Sequence, residues 1–287
     1  MGVKKVTVIG AGIMGSGIAH VAAQAGFETT LNDISKEVLD KGLATITKNL
    51  DKGISIGKTT SEEKAKTLHH LTINDNLVSA VRDADFIIEA APEKIELKIK
   101  LFSTLDKTCK PETVFATNTS SLSITEIAAV TQRARQCIGM HFFNPVHKMK
   151  LVEIIRALET DEETIRITQD VSKIMGKEFV TIKESPGFIT SRINAMIGNE
   201  AFYMLQEGIG SAKDIDTALK LGLNHPMGPF EMVDLVGLDT RLSILEYLHK
   251  TLGEKYKPCP LMIQYVKAGR LGRKTGKGVY DYSKEKQ

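Results

Sequence analysis

The residues of this chain best suited to chemistry are His141, Ser120 and Glu153, together with the glycine string Gly10-Ala11-Gly12-Ile13-Met14-Gly15 near its start. A histidine gains and loses a proton near neutral pH. A serine hydroxyl can donate a hydrogen bond to a carbonyl oxygen, and a glutamate one strand later can hold the imidazole in one tautomer. Such a set suits proton transfer to and from an alcohol or carbonyl oxygen. By residue type alone, a histidine satisfied within the core is the commoner reading of His141.

The glycine string is more specific because of its setting. Lys5-Val6-Thr7-Val8-Ile9 runs into it, and Gly17-Ile18-Ala19-His20-Val21-Ala22-Ala23 follows, giving strand, tight turn and small-residue helix in that order. Gly10 permits the turn, Gly12 lets the backbone approach a pyrophosphate, and Gly15 lets the helix pack on the strand. The helix start offers backbone N–H groups to the anion. Gly10, Gly12, Ile13, Met14 and Gly15 are therefore candidate dinucleotide contacts. Asp33 ends the next strand near the offset of about 20 residues at which an acidic side chain accepts from the adenosine ribose hydroxyls, which favours NAD over NADP. The alternatives are that Asp33 merely caps the helix starting at Ser35, and that Lys36 meets a 2′-phosphate.

The elements that must position these residues read as follows. From Lys5 to about Ile182, β-rich runs alternate with helical patterns, the signature of parallel strands joined by crossover helices. Candidate strands are Val6–Ile9, Thr29–Asn32, Phe86–Glu89, Thr113–Thr117, Gln136–Met140, Leu151–Ile155 and Phe179–Thr181, several apolar throughout, as strands buried on both faces should be. Ser120 and His141 then fall in loops at the carboxyl ends of strands, where doubly wound sheets bind ligands. A lysine-rich insertion, Lys36 to Leu68, predicts a helical hairpin standing off the sheet. At Ser185-Pro186-Gly187 the alternation stops and helices follow. The fold class is α/β: a Rossmann-type, doubly wound, mostly parallel sheet in residues 1–185 and an all-helical domain in residues 186–287.

Composition narrows the function classes. The chain has 287 residues, 42% hydrophobic and 25% charged, with 38 basic against 35 acidic side chains and a net charge of +3. No basic run suggests nucleic acid, and no apolar stretch approaches the ~20 residues of a membrane span. Cys109, Cys137 and Cys259 are too scattered for disulfides or a metal site. With Val6–Ile9 so close to Met1, no signal or transit peptide is expected, and the cytoplasm is the expected compartment.

Longer strings carry a resemblance. Ile88-Glu89-Ala90-Ala91-Pro92-Glu93, Asn118 to Ser121, Gly139-Met140-His141-Phe142-Phe143-Asn144-Pro145-Val146, Met149-Lys150-Leu151-Val152-Glu153, Pro186-Gly187-Phe188, His225-Pro226-Met227-Gly228-Pro229 and Gly276-Lys277-Gly278-Val279-Tyr280, with the glycine string, resemble the L-3-hydroxyacyl-CoA dehydrogenase family over nearly the whole chain. The resemblance implies a His141–Glu153 acid–base pair and hydride exchange between C3 of a short-chain 3-hydroxyacyl-CoA and NAD. It implies Ser120 on the 3-oxygen and near the nicotinamide ribose, and Glu93, Lys98 and Asn144 at the cofactor. It also implies a second domain that dimerises and closes the acyl site, hence a homodimer.

One position departs from the family. Where the family has an asparagine that polarises the substrate carbonyl, this chain reads Phe188-Ile189-Thr190-Ser191-Arg192. Ser191 is the candidate replacement, with Asn194 one turn later as the other. Lys48, Lys52 and Lys58 are candidates for the CoA phosphates, or a solvated helix face, and Lys274 is a candidate cofactor contact on a glycine-rich tail. Two other functions stay open: a dehydrogenase of another acyl chain, such as 3-hydroxyadipyl-CoA, or of a hydroxy acid; and a nucleotide-binding relative without catalysis.

Overall fold

The computed structural model describes residues 2–283. They divide into two compact units, Met1–Glu184 and Ser185–Gln287.

In the first unit the described strands are β1 (Lys5–Ile9), β2 (Glu28–Asn32), β3 (Leu71–Asn74), β4 (Phe86–Glu89), β5 (Val114–Thr117), β6 (Cys137–Phe142), β7 (Leu151–Arg156) and β8 (Glu178–Lys183). They form one sheet in the order β3-β2-β1-β4-β5-β6-β7-β8. The reversal at β1 and β4 makes it doubly wound. β4, β5 and β6 are buried along their whole length, which explains their continuous apolar runs.

Three expectations need correction. First, β3 is an eighth strand, parallel to β2 at the sheet edge. Second, the connection from β6 to β7 is no crossover. The two strands are antiparallel, with His141 opposite Glu153, because residues 143–150 are too few to carry the chain back across the sheet. β6 also runs to Phe142, so His141 lies within a strand rather than in the loop after it. Third, the helical hairpin, Lys36–Ser55 and Ser61–His69, does not stand off the sheet. Leu39, Gly42, Ile46 and Leu50 form one buried stripe of its first helix. That stripe joins the core with Ile18, Ala22 and Leu31. A Cβ on Gly42 would sit 2.7 Å from Ser16 Oγ, so the helices approach where glycine leaves room. Each of those aliphatic side chains contributes about 1.5–3 kcal/mol by burial.

The second unit is helical: Thr190–Gln206, Ala212–Gly222, Pro229–Val236, Leu238–Leu252 and Pro260–Lys267. Its core centres on Phe202, whose ring meets Phe230 and Tyr265 edge-on at 5.3 and 5.6 Å. The glycine-rich tail is pinned to this core. Asp234 accepts from Val279 N at 2.8 Å, Tyr280 N at 2.9 Å and the Tyr282 hydroxyl at 3.0 Å. Among the described residues no helix is long and apolar enough to cross a membrane, and no cluster of three or more His, Cys, Asp or Glu could hold a metal. The three cysteines are free and buried.

Candidate active site

The glycine turn joins β1 to the helix Ile13–Gln24, whose N-cap is Gly12 with no side chain capping it. Gly10 has φ +97°, and a Cβ there would lie 2.6 Å from Ala90 O; a Cβ on Gly15 would lie 1.7 Å from Gly10 O. Both glycines are demanded by the protein's own packing. Gly12 is not: a Cβ there would meet nothing within 4 Å. Open space over Gly12, with an uncapped helix start beside it, fits a pyrophosphate approaching the backbone. Ile13 stands exposed at this mouth, while Met14 packs partly against the core.

Asp33, just past β2, accepts from Ala11 N at 2.8 Å and from Ser35 N at 3.2 Å. The helix cap is Ser35, which accepts from Val38 N. Asp33 thus braces the glycine turn, and a carboxylate with about four acceptor sites keeps capacity for ribose hydroxyls. Lys36 is exposed at the start of the following helix.

At the carboxyl ends of β4 and β5 lies a polar network. Glu93 Oε1 accepts from Thr119 Oγ1 at 2.6 Å, Ser120 N at 2.9 Å, and Ser120 Oγ and Ser121 Oγ at 3.3 Å each. Lys98, expected at the cofactor, is buried. Its ammonium bonds both oxygens of Glu89, at 2.7 and 2.9 Å, and Ala91 O at 3.3 Å. It stands 3.5 Å from Glu93 Oε2, so it acts on the mouth through Glu93. Neither Glu89 nor Thr119 was singled out from the sequence. The available signal was an acidic residue closing the apolar run Phe86-Ile87-Ile88.

His141 Nδ1 lies 2.8 Å from Glu153 Oε2, with Glu153 fully buried and His141 nearly so. Register produces the pair: opposite residues on antiparallel strands project from the same face. The His141 ring rests 4.7 Å from that of Phe143. Asn118 Oδ1 accepts from Phe142 N at 2.8 Å, tying the serine loop to the histidine strand. Asn144, on the exposed turn after β6, shares with Gly12 and Ile13 a groove of about 300 Å³.

Other candidates lie apart from this network. Lys48 and Lys52 are exposed on the helix Lys36–Ser55, and Lys48 lines a separate open depression with Leu43 and Asp51. Lys58 is exposed in the turn beyond. In the second unit, Lys274 bonds Asp239 at 2.6 Å. Ser191 and Asn194 are half-buried near the start of the helix Thr190–Gln206. The turn before that helix is held by Gly187, with φ +74°, and by Arg192, whose Nε donates to the Tyr256 hydroxyl at 2.6 Å.

A doubly wound sheet, a braced glycine turn and an acidic residue closing β2 define a dinucleotide-binding enzyme fold of the Rossmann type. The chain belongs to the 3-hydroxyacyl-CoA dehydrogenase family: residues 5–185 match its NAD binding domain and residues 187–282 its C-terminal domain. It is 48% identical to a probable 3-hydroxybutyryl-CoA dehydrogenase of Bacillus subtilis over 99% of both chains. It is 49% identical to a 3-hydroxybutyryl-CoA dehydrogenase of Bradyrhizobium diazoefficiens, covering 98% of this chain and 96% of that one. The crystal structure of an (S)-3-hydroxybutyryl-CoA dehydrogenase from Ralstonia eutropha superposes with a TM-score of 0.95 at 44% identity, covering 98% of this chain and 99% of the other.

Proposed function

We propose that the chain interconverts (S)-3-hydroxybutyryl-CoA and acetoacetyl-CoA reversibly with NAD(H), as a cytoplasmic homodimer. The observation that carries the reading is the buried 2.8 Å pair of His141 and Glu153 in the same domain as the glycine turn. Gly10, Gly12, Ile13, Met14, Gly15 and Asp33 would hold the dinucleotide, with Glu93 and Asn144 toward its nicotinamide end. When bound, the cofactor supplies the hydride acceptor or donor.

His141 takes the hydroxyl proton on Nε2 during oxidation and returns it to the 3-oxygen during reduction. Glu153 keeps a proton on Nδ1 and sets a negative charge beside the ring when both nitrogens are protonated. Ser120 Oγ donates to the 3-oxygen; its 3.3 Å bond to Glu93 is long, so little is lost when the hydroxyl turns. Ser191 supplies a second donor to that oxygen. Lys48 and Lys52 meet the CoA phosphates, and Lys274 the cofactor once it leaves Asp239.

The second unit closes the acyl site and dimerises, a reading supported by its exposed Ile193, Ile209, Leu221, Leu223 and Leu235. Three buried free thiols suit a reducing compartment. NADH oxidation over 3-oxoacyl-CoAs of increasing length tests the function, with acetoacetyl-CoA expected to give the highest kcat/KM. A higher value with a longer or dicarboxylic chain would move the substrate, and no oxidation with any of them would overturn the reading.

A further inference from the structure

We propose that Glu89 is a positioning residue that sets the cofactor-facing loops, holding Glu93 through Lys98 and the serine loop through Thr117; this rests on the reading that Glu93 and Ser120 face the cofactor and substrate. Glu89 is the last residue of β4, fully buried behind Phe86, Ile87 and Ile88. Its Oε1 accepts from Ala91 N at 2.7 Å and from Lys98 Nζ at 2.7 Å; its Oε2 accepts from Thr117 Oγ1 at 2.6 Å and from Lys98 at 2.9 Å. Its backbone carbonyl accepts from Asn118 N at 2.7 Å.

Three elements meet at this one side chain: the loop after β4, the end of β5 and the helix Ile95–Thr108. The bond to Ala91 N fixes the peptide against which Gly10 turns, since a Cβ on Gly10 would strike Ala90 O. Thr117 in turn accepts from Thr119 N at 3.3 Å, and Thr119 holds Glu93. Lys98, shared by Glu89 and Glu93, joins the two carboxylates. Asn118 carries the connection on to Phe142, next to His141. Stability alone does not account for a carboxylate here. A buried ion pair is seldom better than an apolar pair of equal size, and the rest of β4 is apolar. What the pair adds is fixed geometry, with four hydrogen bonds from three donors around one carboxylate.

Three variants of the full chain test this, each read by NADH affinity from fluorescence titration, by kcat and KM for both substrates, and by thermal unfolding. In Glu89→Gln, Lys98 keeps Glu93 as its one nearby carboxylate among the described residues and draws it off the serine loop. NADH affinity and kcat with acetoacetyl-CoA should each fall about tenfold or more, the loss expected for one charge-assisted hydrogen bond. Thr117→Val removes the serine-loop link and leaves the Lys98 link, so kcat should fall about tenfold and NADH affinity should fall less than in Glu89→Gln. Should Glu89→Gln not fold, the near-isosteric Glu89→Gln/Lys98→Met removes the unpaired buried charge; it should unfold near the parent's temperature and still bind NADH about tenfold more weakly.

A folded Glu89→Gln or double variant with parental NADH affinity and kcat, even with a lowered unfolding temperature, overturns the proposal, as does parental kcat in Thr117→Val. If the parent binds NADH but turns over no acyl-CoA, the functional reading fails instead, and the NADH affinities still decide the role of Glu89.

Discussion

Replacing Glu153 by Gln keeps the volume and strand register of the pair but removes its charge. Once His141 has taken the alcohol proton its ring is cationic, and the Glu153 carboxylate lies 2.8 Å from Nδ1 with no exposure to solvent. Charge centres about 4 Å apart at an effective dielectric of about 20 interact by about 4 kcal/mol. At about 1.4 kcal/mol per tenfold, that is about a thousandfold in rate. The glutamine carbonyl can still accept from Nδ1–H, so part of the interaction survives, and kcat should fall on the order of 10²- to 10³-fold. KM for NADH should stay near the parental value, because the side chain bonds His141 and not the glycine turn. The assay is steady-state NADH oxidation with acetoacetyl-CoA, varying each substrate in turn. A Glu153→Gln enzyme with kcat within about threefold of the parent, or one whose loss falls mainly on the KM for NADH, would refute the reasoning.

Asp33 should make kcat/KM higher with NADH than with NADPH, and Asp33→Ala should lower kcat/KM for NADH by about 10- to 100-fold, since hydrogen bonds to ribose and to Ala11 N are lost together; equal values for the two cofactors in the parent would show that Lys36 offsets the repulsion of the 2′-phosphate. If Ser191 has taken over the asparagine's role, Ser191→Ala should lower kcat by a few kcal/mol of transition-state stabilisation while Ser191→Asn stays active. Damage from Asn194→Ala with Ser191→Ala silent would move that role to Asn194. Burial, with the nearby charges of His147 and Lys177, holds His20 down from 6.5 to about 4. Below pH 6.5 the unfolded chain therefore takes a proton that the folded chain refuses, so stability present at neutral pH is lost as pH falls toward 4. Between pH 7 and pH 5 this loss is about 2 kcal/mol, and urea unfolding of His20→Leu should show a correspondingly flatter dependence; an unchanged slope would contradict it.

The glycine turn, Asp33 and the doubly wound sheet are legible in the sequence because they rest on local order: strand, turn and helix follow one another within a few residues. The direction of β7 is not legible, since an apolar run such as Leu151–Ile155 reads the same whichever way the strand runs. Its antiparallel course is what brings Glu153 opposite His141. β3 is missed because four residues between a helix and a turn carry too little periodicity. The resemblance places Lys98 at the cofactor, and no local pattern tells that it is buried on Glu89 and stands 3.5 Å from Glu93, which only the sheet shows. Lys48, Lys52 and Lys274 are legible as cations, but what an exposed cation meets is decided by a ligand that no local pattern records.

The measurement that bears most directly on the account is turnover of acetoacetyl-CoA, followed by loss of NADH absorbance, in the parent and in His141→Gln, with NADH affinity measured alongside. One NADH should be consumed per acetoacetyl-CoA in the parent, and kcat should be lower by on the order of 10²- to 10⁴-fold in His141→Gln with NADH affinity unchanged. Near-parental turnover by His141→Gln would contradict the assignment of His141 as the acid and base, and a parent that binds NADH without consuming it would contradict the proposed reaction itself.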